Sequence, residues 1–137
     1  MSKITVKAYF KPFVSYVIGI VHGLVTISIA YPIFFLVVLL SRPFWLSVNE
    51  SAFSLFVDIV TVAIAAAVSV LVVRYFIKYV DSPLRCAIAT PCALLAIQLI
   101  QYGIAEPMLI VFDMLPWLVY VPVTYYMMSA SKRFLLR

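Results

Sequence analysis

The sequence predicts an all-α integral membrane protein, a four-helix bundle with its N- and C-termini on the cytoplasmic side. Three observations carry that expectation. Of 137 residues, 66% are hydrophobic and 11% charged, far from the roughly half apolar, quarter charged mixture of soluble domains. The apolar residues fall into four runs, near 13–40, 53–73, 86–105 and 108–128, each long enough to cross about 30 Å of hydrocarbon at about 1.5 Å per residue. Of the 10 Lys and Arg residues, all but Arg42 fall at the chain ends or in the central segment 74–85, which is the positive-inside pattern. The acids Glu50, Asp58, Glu106 and Asp113 lie toward the other side. The length suits one domain, and helices follow because an open strand in lipid would leave backbone groups unpaired.

The first run begins after Lys3, Lys7 and Lys11. Basic residues ahead of an apolar stretch, with Ser28-Ile29-Ala30 beyond, have the outline of a signal peptide. The apolar run continues to Leu40, so it is read as an uncleaved anchor. As one straight helix it measures about 42 Å, more than the hydrocarbon needs, and Pro32, unable to donate to the Ser28 carbonyl, is the expected bend. The polar segment 41–51 places Phe44 and Trp45 at the headgroup boundary. The second run holds one carboxylate, Asp58, and ends in the basic segment 74–85, where Tyr75, Phe76 and Tyr79 form another interfacial group. The third ends at Glu106-Pro107, a reversal because the residue before proline is pushed out of helical conformation. The fourth contains Asp113, Pro116 and Pro122, and its prolines predict a kinked helix.

Small and polar residues recurring every three or four positions mark the face each helix turns toward its neighbours. In the first run these are Ser15, Gly19, His22, Thr26 and Ala30; in the second, Ser54, Asp58, Thr61, Ala65 and Ser69; the fourth offers Asp113, Trp117, Tyr120 and Thr124. Gly19 and Gly23 form a small-xxx-small pair that lets two backbones approach, within the bundle or against another copy. Ala63 and Ala67 offer a second such face.

The groups able to carry chemistry are few. Asp58 and Asp113 each lie about 7–8 Å inside the same outer boundary, and Gln98 and Gln101 fall at similar depths of about 10 and 6 Å. Two carboxylates and two amides in one layer suit cation binding or proton transfer, or they serve as structural glue bonded to Thr61, Gln101 or Tyr102. His22, the single histidine, lies about 14 Å deep, near the midplane, where a neutral imidazole bonded to another helix is the expected arrangement.

Thr90-Pro91-Cys92-Ala93-Leu94 resembles the Cys-Pro-Cys-Ala-Leu type of transmembrane motif of heavy-metal P-type ATPases. The resemblance implies a soft-metal site at Cys92 with Cys86 or a methionine. Thr90 stands where that motif has its first cysteine, so the residues themselves read as a proline kink beside a small apolar thiol. Cys86 and Cys92 suggest neither a disulfide framework nor a zinc cluster. The sequence holds no Ser/His/Asp pattern, HExxH or glycine-rich phosphate loop, so no enzyme, metal or cofactor is expected. The basic residues sit at segment ends rather than in a dense patch, which argues for anionic lipid headgroups over nucleic acid as their partners.

These features predict a non-catalytic subunit or helper of a bacterial inner-membrane assembly, of secretion, conjugation, transporter or immunity and exclusion type. Its expected partners are membrane lipid, other integral membrane subunits and a second copy of the chain. The alternative is a small ion- or proton-coupled transporter or channel, oligomeric because four helices enclose little pathway, acting through Asp58 and Asp113.

Overall fold

The computed structural model describes residues 3–45, 50–102 and 105–135, and the side chains of residues 9–43, 50–102 and 105–135. Lys3, Lys7, Phe44, Trp45 and Arg137, on which part of the charge and interface reading rests, lie outside the described side chains. The chain is helical almost throughout, with α1 over Lys3–Trp45, α2 over Glu50–Val73, a short 3-10 helix over Arg74–Tyr79, α3 over Pro83–Tyr102 and α4 over Pro107–Leu135. All four α-helices are long and apolar enough to cross a membrane, and they fit an integral multi-pass membrane protein.

The boundaries differ from the sequence reading at the helix ends. The segment 41–51 was expected to be a polar connection, but α1 continues to Trp45 and α2 begins at Glu50. The α1 assignment runs unbroken through Pro12, Pro32 and Pro43. The third helix is expected over 86–105 and is found over Pro83–Tyr102. Its start is set by Pro83, whose missing N–H costs nothing at a first helical position, and the Cys86 N–H already bonds the Ser82 carbonyl. Pro107 begins α4 in the same way.

Helix α1 packs on α2 and α3, and α4 packs on the same two, so the order around the bundle is α1, α2, α4, α3. The hairpins α1–α2 and α3–α4 are each neighbours, whereas α2 and α3 are diagonal. The chain therefore has to pass beneath the bundle to link them, and the 3-10 helix does so, touching α1, α2 and α4. It carries Ile77 inward, with Val80 next to it, into a core that also holds Ile18, Val70, Val73, Cys86 and Met128. The start of α1 and the end of α4 lie at this end of the bundle, with Lys11, Arg74, Lys78, Arg85, Lys132 and Arg133, and make it the basic end.

Polar bonds fasten the turn after the 3-10 helix. The Ser15 hydroxyl of α1 accepts from the Asp81 N–H at 2.8 Å. The Lys132 ammonium of α4 donates to the Val80 carbonyl at 2.7 Å and the Asp81 carbonyl at 3.3 Å. Arg85 pairs with Asp81 at 3.0 Å, the i,i+4 spacing of a helix start.

Candidate functional site

One layer near the middle of the bundle joins all four helices. His22 of α1 lies across the diagonal from Tyr120 of α4, with Nδ1 2.6 Å from the phenolic oxygen, and its Nε2 is 3.1 Å from the Ala66 carbonyl of α2. Both side chains have no exposed surface. A carbonyl only accepts, so in the uncharged ring the proton sits on Nε2 and Nδ1 accepts from the Tyr120 hydroxyl. Helix α3 joins through Thr90, whose hydroxyl donates to the Gly19 carbonyl at 2.8 Å. Thr26 returns its own hydroxyl to the His22 carbonyl at 2.9 Å.

The two glycines of α1 make this approach possible. A Cβ at Gly23 would overlap the Thr90 side chain, and one at Gly19 would overlap the Cys86 carbonyl oxygen. The small-xxx-small pair is thus occupied inside the bundle, between α1 and α3. Ser15 is buried beside it. On α2 the fully buried small residues are Ala65, Ala66 and Ser69, with Ala63 and Ala67 half-buried on the flanks.

Beyond this layer, away from the basic end, α1 and α3 stop burying side chains. Ile97 and Gln101 follow Thr90 at seven and eleven residues, so they lie on nearly the same face of α3, yet both are exposed. Past Thr26 and Thr90, α1 and α3 bury no further side chain among the described residues. The space left is a crevice of about 480 Å³ walled by α1, α2 and α4. Thr26, Thr61 and Trp117 lie at its inner part, nearest the His22 layer, and Asp58, Asp113 and Ala30 about one turn farther out. The Trp117 and Tyr120 rings are 4.9 Å apart, so the crevice ends against the His22–Tyr120 layer.

The two carboxylates line the same crevice. Counted along the helices from Ala66, Tyr120 and Thr90, the residues Asp58, Asp113 and Gln98 all stand about 10–12 Å beyond the His22 layer. Gln98 donates to the Asp113 carboxylate at 3.4 Å. Gln101 is exposed and has no bond to this group among the described residues. Ser54, on the expected inner stripe of α2, is also exposed. Among the described residues the one ion pair is Arg85–Asp81, and no basic residue lines the crevice.

The sequence reading did not find the partners of His22. Tyr120 is 98 residues away and Ala66 contributes a backbone atom, which leaves no mark in sequence. Cys86 is buried against Gly19 while Cys92 is exposed, so the two thiols do not face a common site. The described residues contain no group of three His, Cys, Asp or Glu side chains placed to hold a metal. Comparison with protein-family models, curated proteins and solved structures finds no match for this chain.

Proposed function

We propose that the protein is a non-catalytic subunit or accessory factor of a membrane assembly, oriented with both termini in the cytoplasm of a bacterial cell and meeting its partners inside the bilayer. The observation that carries this reading is the length of α1. Its candidate span, Tyr9–Pro43, covers 35 residues, about 52 Å, whereas the 20 residues of α3 make about 30 Å, the hydrocarbon thickness itself. Measured from the Gly23–Thr90 contact, α1 outruns α3 by about 15 Å.

The overhanging stretch is apolar and open, with Leu36, Leu39 and Leu40 all exposed. Tilt relieves part of such a mismatch, and association with another helix relieves the rest. The glycine pair is already occupied within the bundle, which leaves the far half of α1 as the face offered to a partner. In a secretion, conjugation, transporter or exclusion complex, a chain of this build acts by holding a neighbour rather than by chemistry.

A photo-crosslinking residue at Leu39, followed by solubilisation in mild detergent and identification of the captured chain, tests the proposal. Capture of an unrelated membrane subunit at fixed stoichiometry, absent when the crosslinker is at Leu118 on α4, is the expected result. Capture of lipid alone, or of equal material from both positions, contradicts it.

A second reading, an ion- or proton-coupled transporter, draws on the shared crevice of Asp58 and Asp113. The His22–Tyr120 layer and the apolar core beneath it fill the centre of the bundle, so the path in that reading is placed between copies. Proton or cation flux from a purified homo-oligomer in liposomes, lost in Asp58→Asn and Asp113→Asn, would favour it.

A further inference from the structure

The crevice has the dimensions and lining of a small-molecule site, and its charge is one-sided. Its volume of about 480 Å³ falls within the roughly 300–1,000 Å³ of ligand pockets, which are mostly apolar and aromatic with a few placed polar groups. Aromatic surface comes from Phe34, Phe112 and Trp117, and the polar groups are Asp58, Asp113, Thr26 and Thr61. Thr61 is 4% exposed, and its hydroxyl has no hydrogen-bond partner among the described residues. A buried hydroxyl without a partner is costly, so a ligand atom that met it would gain from the contact. With two carboxylates and no basic side chain on its walls, the site attracts positive charge and repels negative.

Three kinds of cation differ in their fit. A divalent metal ion asks for about six to eight oxygen ligands, a number that two carboxylates and two hydroxyls reach only with both carboxylates bidentate, and it gains little from aromatic walls; no group of three His, Cys, Asp or Glu among the described residues stands ready to hold one. A basic transmembrane helix, about 10–12 Å across with its side chains, needs more room than the crevice offers. An organic cation with an apolar body uses every wall: ring faces attract a positive charge within about 6 Å, the carboxylates balance it, and the apolar remainder stays in hydrocarbon.

We propose that the crevice between α1, α2 and α4 binds a lipophilic organic cation, its charge held between Asp58 and Asp113 and its body against Phe34, Phe112 and Trp117. This goes beyond the subunit reading and is independent of which partner covers α1, because binding is a property of the isolated chain. The crevice lies within the apolar length of the helices, so an amphiphilic cation reaches it from the bilayer.

Tetraphenylphosphonium is the probe. The sequence holds two tryptophans, so in a Trp45→Phe background the fluorescence of Trp117 reports on the crevice alone. The full-length protein in lipid nanodiscs is expected to bind the probe saturably, with Trp117 quenched. Binding weakens at least tenfold in Asp58→Asn/Asp113→Asn and about threefold in Thr61→Val. Tetraphenylborate, the same shape with opposite charge, does not compete. Ala30→Phe fills the crevice while keeping both carboxylates and leaving Trp117 the one tryptophan, and it abolishes binding; it decides the matter if the double variant does not fold.

Unsaturable binding, equal competition by tetraphenylborate, or full affinity in a folded double variant or in Ala30→Phe overturns the proposal. None of these outcomes bears on whether Leu39 captures a partner.

Discussion

The two halves of this bundle are built from similar helices and held together differently. In the basic half, an apolar core around Val70, Ile77 and Met128 is closed by the 3-10 helix, and polar bonds tie α1 and α4 to the turn at Val80 and Asp81. In the far half, α2 buries Val57 and Thr61 and α4 buries Ile110 and Pro116, while α1 and α3 bury nothing past Thr26 and Thr90 among the described residues. Both halves are apolar. In lipid, apolarity alone does not bring helices together; close steric fit and interhelical hydrogen bonds do. Small residues that allow that fit, Gly19, Gly23, Ala65, Ala66 and Ser69, lie at or below the central layer. Beyond it α1 offers Tyr31, Phe34, Phe35 and Leu36, side chains that hold neighbours apart.

The largest expected effect comes from removing that fit. Gly19→Leu forces a side chain into the Cys86 backbone and Gly23→Leu forces one into Thr90. Each should cost about 3 kcal/mol or more, at the upper end of overpacking effects, read as an earlier transition in SDS titration from mixed micelles. Next comes Tyr120→Phe, which keeps the ring but leaves His22 Nδ1 without its donor, a loss of about 1–2 kcal/mol. Lys132→Met releases the Val80 and Asp81 carbonyls at a partly exposed site and should cost about 1 kcal/mol by the same titration. The smallest effect belongs to the far half. Asp113→Asn and Leu36→Ala should each shift stability by no more than about 0.5 kcal/mol, as substitutions do where little is packed. A far-half variant as costly as Tyr120→Phe would erase the contrast between the halves.

Much of the architecture was legible because membrane helices announce themselves by length and by their charged ends. The four spans, the inward faces of His22, Thr26, Thr61 and Tyr120, and the common level of Asp58 and Asp113 follow from counting residues at a fixed rise. What counting does not supply is the angle between helices. Gln101 shares a face with Thr90 and was expected beside Gln98 and the carboxylates, but that face is exposed past Thr90. The diagonal route of the 3-10 helix was also hidden, since the segment 74–85 reads only as basic and aromatic. The role of Thr90 was masked by its neighbours Pro91 and Cys92, which draw attention to metal chemistry, whereas Thr90 is the residue that bonds Gly19.

The central claim is that one layer, His22 with Tyr120, Ala66 and the Gly19–Thr90 contact, locks four helices, beyond which α1 and α3 bury no side chain past Thr26 and Thr90 among the described residues. Because the chain has a single histidine, nitrogen-15 histidine labelling gives one ring to observe by solid-state NMR in bilayers. The predicted spectrum shows the proton on Nε2 and an unprotonated, hydrogen-bonded Nδ1 at neutral pH, and Tyr120→Phe changes the Nδ1 signal while leaving Nε2 protonated. A mixture of the two tautomers in the wild-type protein, unaltered by Tyr120→Phe, would contradict it.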